Sequence, residues 1–388
     1  MKRSTDRILT THCGSLARPH DLLDMMKARL NGQTIDEDAY SERVGDAVAE
    51  VVRDQVHSGV DIVSDGEQGK PGFSAYVRER LTGFEPTEPD PNRPRGAQWA
   101  RELAAFPEYY EQYFGGAMRG VAPNTPLICS GPVSYRGRLS VESDIANLEA
   151  ATADAKPAEA FLPAIAPRPL GRNQYYKSDE EYIYAIADAM REEYLAITGA
   201  GLLLQVDDPA LTDLYAQDPS RSDAVRHKTA EMYIDALNHA IRGISREQIR
   251  FHTCYGINEG PRVYDTPLSQ IVDLVFRVNA GAYSFEAANA RHQHEWHVFE
   301  SVKPPEGTIL IPGMVTHASN IVEHPELIAD LLVTYANLVG RENVIAGSDC
   351  GFSSQATYTP EVHPTVVWAK FQAMAEGARI ASDRLWRR

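Results

Sequence analysis

Short runs of β-branched and apolar residues recur along this chain, each followed by a longer stretch whose apolar positions return every three or four residues. The runs are 8–13 (ILTTHC), 60–64 (VDIVS), 127–130 (LICS), 202–206 (LLLQV), 249–254 (IRFHTC), 282–286 (AYSFE), 309–313 (ILIPG) and 344–348 (VIAGS). Amphipathic segments between them include 41–58, 181–199, 223–243, 265–279 and 324–340. Strand-length runs alternating with helical patterns predict βα units around a parallel sheet. Eight such runs predict an α/β fold: a (β/α)8 TIM barrel with insertions in its βα loops, residues 1–388 forming one barrel domain. A ninth run, 161–165 (FLPAI), is Pro-flanked and is expected to be a loop crossing the barrel mouth.

Two segments exceed what a barrel needs. Residues 83–126 carry seven prolines and the cluster EYYEQYF, and residues 167–180 read PRPLGRNQYYKSDE. Insertions of this length commonly become lids or subunit contacts. The 83–126 segment is therefore expected to act as a lid or an interface, and offers a surface for a homo-oligomer.

Composition narrows the partners. Thirty-eight Lys and Arg stand against fifty-four Asp and Glu, a formal net charge of −16. That charge repels phosphate backbones and anionic lipid surfaces, which argues against nucleic-acid and membrane roles. No run approaches 18 apolar residues, and the opening MKRSTDRILTTH lacks the apolar core of a signal peptide. Four cysteines in a chain of this length are no disulfide framework, so a cytoplasmic location is expected.

The predicted strand ends carry the chemistry. They deliver Gly14-Ser15, Asp65-Gly66-Glu67, Ser130-Gly131-Pro132, Asp207-Asp208, His252-x-Cys254, Glu286, His317 and Ser348-Asp349-Cys350 to one end of a barrel. Residues i and i+2 of a strand share a side, so His252 and Cys254 can both face the axis. A lone H-x-C pair says little, because a buried Cys is usually a small apolar filler. Cys350 and Glu286, each ending another strand, change that. One nitrogen, two sulfurs and one oxygen then converge, a set that zinc accepts. With two thiolates and a carboxylate the centre is formally −1, too electron-rich to favour hydrolysis. It can still hold a substrate thiol as thiolate below the free thiol pKa of about 8.5. Glu286, the hardest ligand, is expected to give way when a substrate sulfur arrives.

His252-x-Cys254, Glu286 in SFEAAN and Cys350 in SDCG resemble the four zinc ligands of the catalytic barrel of cobalamin-independent methionine synthase. The resemblance runs over nearly the whole chain. It takes in Gly14-Ser15 in TTHCGSLARP, Glu67 in DGE, SGPV at 130–133, Asp207 in QVDDPAL and His317 beyond IPGM. The same superfamily includes epoxyalkane:coenzyme M transferases and zinc methyltransferases that demethylate corrinoid proteins. The resemblance implies Zn2+ as cofactor and an alkyltransferase that activates a substrate thiol as a zinc-bound thiolate. It implies that Ser15, Glu67 and Asp207 bind the amino-acid end of the thiol and that His317 relays a proton. His12, beside Gly14, is expected to line the pocket.

Two departures shape the expected donor. The chain has one barrel's length where the family's long members have two, and GPVSYRGR lacks the tryptophan that stacks on folate, leaving Tyr135 for that task. An epoxide or other non-folate electrophile is therefore expected as the small-molecule alkyl donor. The alternatives are a methyl-tetrahydrofolate or corrinoid-protein dependent thiol methyltransferase of the methionine synthase type, and a metal-free enzyme resembling uroporphyrinogen decarboxylase. A non-catalytic carrier of zinc or of a methyl group is a third class. A sulfonated thiol would need a cation, for which Arg18, Lys70 and Arg78 are candidates. The tract RHQHEWH, with His292, His294 and His297, is expected to be a surface or substrate loop, and Cys13 and Cys129 core.

Overall fold

The computed structural model describes residues 1–88, 100–115, 120–123, 125–216, 222–256 and 259–387. Strands β1 (Leu9–Thr10) and β2 (Ile62–Ser64) are followed by two that lie outside the main sheet, β3 (Phe84–Pro86) and β4 (Leu127–Cys129). Next come β5 (Glu159–Ile165) and the short outer β6 (Arg172–Asn173). The chain continues through β7 (Leu203–Asp208), β8 (Ile249–Thr253), β9 (Ala282–Phe285), β10 (Ile309–Val315) and β11 (Ile345–Ser348). Eight of these form one parallel sheet in the order β1-β11-β10-β9-β8-β7-β5-β2. A bridge between Thr11 and Ile62 joins its two ends, so the sheet is a (β/α)8 barrel.

Two expectations are corrected. Residues 127–130 do not supply a barrel strand: Leu127–Cys129 pairs antiparallel with Phe84–Pro86 and parallel with Arg172–Asn173 in a separate three-stranded sheet. The barrel strand in that place is Glu159–Ile165, which includes the run expected to be a loop. An unbroken apolar run is what a parallel strand buried on both faces needs. Its proline is tolerated for a local reason. Pairing with β2 stops at Ser64↔Phe161, so on that side Pro163 has no ladder bond to lose.

The barrel interior reads in layers. Leu9, Ile62, Phe161, Leu203, Ala282, Ile309, Ile311 and Ile345 pack as one apolar plug. Above it sits the fully buried Arg250, whose guanidinium lies 3.9 Å from the Phe161 ring centroid and donates to Thr11 Oγ1 and the His12 carbonyl. Gln205 donates to the Cys13 carbonyl at the same level. The plug fixes the phase of every strand: one step of two residues beyond a plug position points into the barrel again. Helices cover the outside. Glu37–His57 is started by Asp36, which accepts from the Asp38 and Ala39 N–H groups, and it buries Val44, Val48, Val51 and Val52.

Residues 83–126, where described, form β3, the short helices Ala100–Ala105 and Pro107–Gly115, and the lead into β4. They are tied to loops of the barrel mouth. Glu102 accepts from the Tyr264 N–H, the Tyr113 hydroxyl meets Glu361, and the Val121 N–H donates to Ala356. Among the described residues, no helix is long and apolar enough to cross a membrane.

Candidate metal centre

β8 places Arg250, His252 and, one step beyond its end, Cys254 on the barrel's inner side. The loop after β11 brings Cys350 to meet them. The ligand atoms of His252, Cys254 and Cys350 all lie within 4.8 Å of one another, and all three residues are buried. Cys254 Sγ and Cys350 Sγ are 3.3 Å apart. That is too far for a disulfide, whose sulfurs sit about 2.0 Å apart. It approaches the separation of about 3.8 Å that two sulfurs take around tetrahedral zinc. His252 Nδ1 faces Ser284 Oγ at 3.3 Å and Cys13 Sγ at 3.6 Å. Its Nε2 is buried with no hydrogen-bond partner among the described residues. A buried ring nitrogen without a partner beside two thiols is the donor set of a soft cation site. The residues fit zinc.

The charge of the pair supports this. The Cys350 thiol directed at Cys254, together with His252, holds Cys254 well below the usual thiol range against the effect of burial. Cys350 is pushed up in turn, by its bond to Cys254 and by burial. The two shifts run in opposite directions, favouring the thiolate form at Cys254 over Cys350.

Glu286 does not join this cluster. Its carboxylate lies within 4.8 Å of His317 and Asp349. Glu286 Oε2 accepts from Arg262 at 2.6 Å and from Asn289 Nδ2 at 2.8 Å, while Oε1 has no partner among the described residues. Burial pushes Glu286 up to about 7, against the pull of Arg262. Among the described residues neither ring nitrogen of His317 has a hydrogen-bond partner, and burial, aided by Arg262, lowers it to about 4. Asp349 is saturated: it accepts from the Ala287, Ala288 and Asn289 N–H groups and from Asn289 Nδ2.

A cavity of about 170 Å³ opens beside the sulfurs, lined among others by Ser15, Glu67, Asp207, His252, Cys254 and Cys350. Three expected substrate contacts thus share a wall with three expected metal ligands. Gly351 makes room for one of them, since a Cβ there would overlap the Ser15 hydroxyl. Burial pushes Asp207 up to about 8, with Glu67 adding to the rise and His252 opposing it. A carboxylate so placed gains from an incoming ammonium group.

His12 is a correction. It does not line this cavity; its Nε2 meets Gln55 Oε1 at 2.7 Å and its ring packs against Phe161 and Phe371. Leu9 belongs to the plug, so Thr11 and Cys13 follow it inward and His12 faces the helices. Cys13, expected as core, is buried and also forms a cavity wall beside His252. Cys129 is buried in the outer sheet. The expected cations are also engaged elsewhere. Arg18 donates to the Glu67, Lys70 and Ser353 carbonyls, Lys70 to Pro163, and Arg78 to Pro123. The cation that does line the cavity is Arg168, from the loop after β5, whose Nη2 donates to Ser74. It was missed because the strand before it was read as a loop. Tyr135 is held by Glu193 at 2.7 Å and is not a cavity wall. In the histidine tract, His292 is buried between Glu295 and Asp265, while His297 pairs with Glu300 at the surface.

Comparison with known proteins agrees with the barrel fold. Residues 140–370 match the model of the cobalamin-independent synthase catalytic domain. A methionine synthase from Thermococcus kodakarensis is 23% identical over 382 residues, covering 97% of this chain and 94% of its own length. One from Saccharolobus islandicus is 22% identical over 385 residues, covering 98% and 96%. Among solved structures, a B12-independent methionine synthase from Shewanella sp. W3-18-1 superposes with a TM-score of 0.71 at 20% identity, covering 98% of this chain and 99% of that one. A B12-independent homologue from Listeria monocytogenes gives 0.64 at 16% identity, covering 96% and 98%.

Proposed function

Since the chain belongs to the cobalamin-independent synthase catalytic-domain family, we propose that it transfers a methyl group to the sulfur of an amino-acid-like thiol. The observation that carries this reading is the shared cavity: Ser15, Glu67 and Asp207 face the same space as His252, Cys254 and Cys350. His252, Cys254 and Cys350 would hold zinc, with Glu286 as a fourth, exchangeable ligand. Zinc bound there supplies a charge that keeps the substrate sulfur deprotonated near neutral pH. Glu67 and Asp207 take the ammonium end of the thiol and Ser15 fixes its orientation, while Arg168 faces its carboxylate. A cavity of about 170 Å³ suits a molecule of this size. It falls below the roughly 300–1,000 Å³ of sites for drug-sized ligands.

The methyl group leaves its carrier without the bonding electrons, and the thiolate sulfur supplies the pair for the new bond. The carrier keeps its electron pair. A nitrogen-bound carrier such as methyl-tetrahydrofolate then takes a proton, which we assign to delivery through His317. A cobalt carrier holds the pair on the metal and needs none. The relatives argue against the expectation of an epoxide donor, because the curated chains matched above are methionine synthases. Their similar length also removes one ground for it, since a single-barrel chain is ordinary among them. In this reading residues 1–388 work as one unit, and 83–126 forms a lid over the mouth.

Zinc-loaded protein given L-homocysteine with methyl-tetrahydrofolate or methylcobalamin should yield methionine. With methyl-tetrahydrofolate, His317→Asn should lower kcat about 10²–10⁴-fold, with thiol affinity nearly unchanged. Formation of a thioether from an epoxide, with no methionine from either methyl donor, would overturn the proposal.

A further inference from the structure

Arg262 is buried at the site and has no role in the scheme above. Its Nη2 donates to Glu286 Oε2 at 2.6 Å and its Nε to Asp265 Oδ2 at 2.7 Å. Asp265 in turn meets His292 Nε2 at 3.1 Å, and His292 Nδ1 meets Glu295 Oε2 at 2.8 Å. Arg262 and Glu286 are both almost fully buried, at 3% and 0% side-chain exposure. The backbone of Arg262 has φ +54, the left-handed region that a residue with a Cβ rarely adopts. An arginine held in that conformation and anchored from behind by Asp265, which His292 holds in turn, is fixed in position.

The partner it holds is the one expected ligand that stands apart from the sulfurs. We propose that Arg262 is a latch for Glu286: it takes the carboxylate when a substrate thiol takes the fourth ligand position, and so favours exchange. This rests on the zinc-dependent reading above. Without Arg262 a displaced Glu286 would be a buried charge facing only Asn289 Nδ2, with Asp349 close by, which is costly. With Arg262 present the carboxylate has two satisfied positions, one at the metal and one at the guanidinium. Asp265 and His292 keep the guanidinium aimed, which gives the histidine tract a positioning role.

The latch competes with the metal for Glu286, and that fixes the sign of the test. In the zinc-loaded protein without thiol, Arg262→Met should bind zinc about tenfold more tightly, a second-sphere effect of ordinary size but opposite in direction. Its zinc-edge absorption should show more oxygen in the coordination shell than the wild type. Affinity for L-homocysteine, measured by calorimetry, should fall about tenfold, and Arg262→Lys should restore part of it. In the double variant Arg262→Met, Glu286→Gln the gain in zinc affinity should vanish. Asp265→Asn, which leaves Arg262 in place but unaimed, should move each quantity the same way by less. Unchanged or weaker zinc binding in a folded Arg262→Met would overturn the latch. Wild-type protein that binds zinc but no thiol would instead overturn the proposed function, leaving the competition between Arg262 and zinc separately measurable.

Discussion

Two groups of buried potential ligands lie side by side at the barrel mouth, joined at the Asp349-Cys350 step, and they differ in kind. His252, Cys254 and Cys350 form a set rich in sulfur; Glu286, His317 and Asp349 form one with two carboxylates. Distance alone does not separate them, since each lies within a sphere a cation could occupy. Donor chemistry does. In the first set two thiols satisfy chiefly each other beside His252 Nε2, which has no partner among the described residues. In the second, Asp349 already accepts four hydrogen bonds, and Arg262 and Asn289 hold Glu286 Oε2. Glu286 Oε1 and both His317 ring nitrogens have no partner among the described residues. Two sulfurs and a nitrogen are donors that zinc accepts, whereas a carboxylate that has spent its lone pairs on N–H donors, as Asp349 has, keeps little for a metal. The first set therefore offers the better donors for a soft cation.

The largest test of that difference is Cys350→Ser. Removing a sulfur from the first set should cost more than the roughly hundredfold that a second-sphere loss costs in metal affinity. Metal analysis after dialysis should show the zinc gone, and far-ultraviolet circular dichroism should show the barrel intact. Full retention of zinc would remove the first set from the mechanism.

Asp349→Asn probes the other side. The substitution places an amide N–H₂ against four N–H donors, so at least two hydrogen bonds are lost and donors are left facing one another. Stability should fall by about 2–4 kcal/mol, read from chemical denaturation, with zinc content unchanged. Loss of zinc without loss of stability would reverse the comparison and make the carboxylate set the metal site.

How much of this was legible in the sequence varies with what each residue depends on. His252-x-Cys254 was legible because a two-residue spacing on a strand fixes a shared side without further knowledge. Ser15, Glu67 and Asp207 were legible because barrel chemistry gathers at strand ends, and all three line the cavity. The choice of Leu127–Cys129 over Glu159–Ile165 failed because Pro163 was weighed as a strand breaker. Its acceptability depends on where β2 stops, which is a property of the neighbour. The phase of ILTTHC was illegible for a similar reason. The run contains no polar–apolar alternation, so only its packing against Ile62 and Phe161 shows that Leu9 and Cys13 point inward and His12 outward. Arg262 could not be found by spacing at all. It meets Glu286 across 24 residues from an irregular loop, and only the folded chain brings the two charges together.

The smallest expected effect sharpens the comparison from within the first set. His252 can give its Nε2 lone pair to a metal only if the ring proton sits on Nδ1, and that proton needs an acceptor. Ser284 Oγ at 3.3 Å is the nearer acceptor and Cys13 Sγ at 3.6 Å the farther, a weaker one. Ser284 comes from β9, whose register pairs it directly with His252 on β8. Ser284→Ala therefore leaves the thiol alone to hold the tautomer. Zinc affinity should fall by about tenfold, the low end for loss of an outer hydrogen bond to a ligating histidine. Cys13→Ser puts a stronger acceptor at the second place, and combined with Ser284→Ala it should recover part of that loss. Competition with a chelator measures both. If the serine contributes nothing, or if Cys13→Ser alone strips the metal, then Cys13 is itself closer to the cation than its position beside the imidazole suggests, and the sulfur-rich set has a further member.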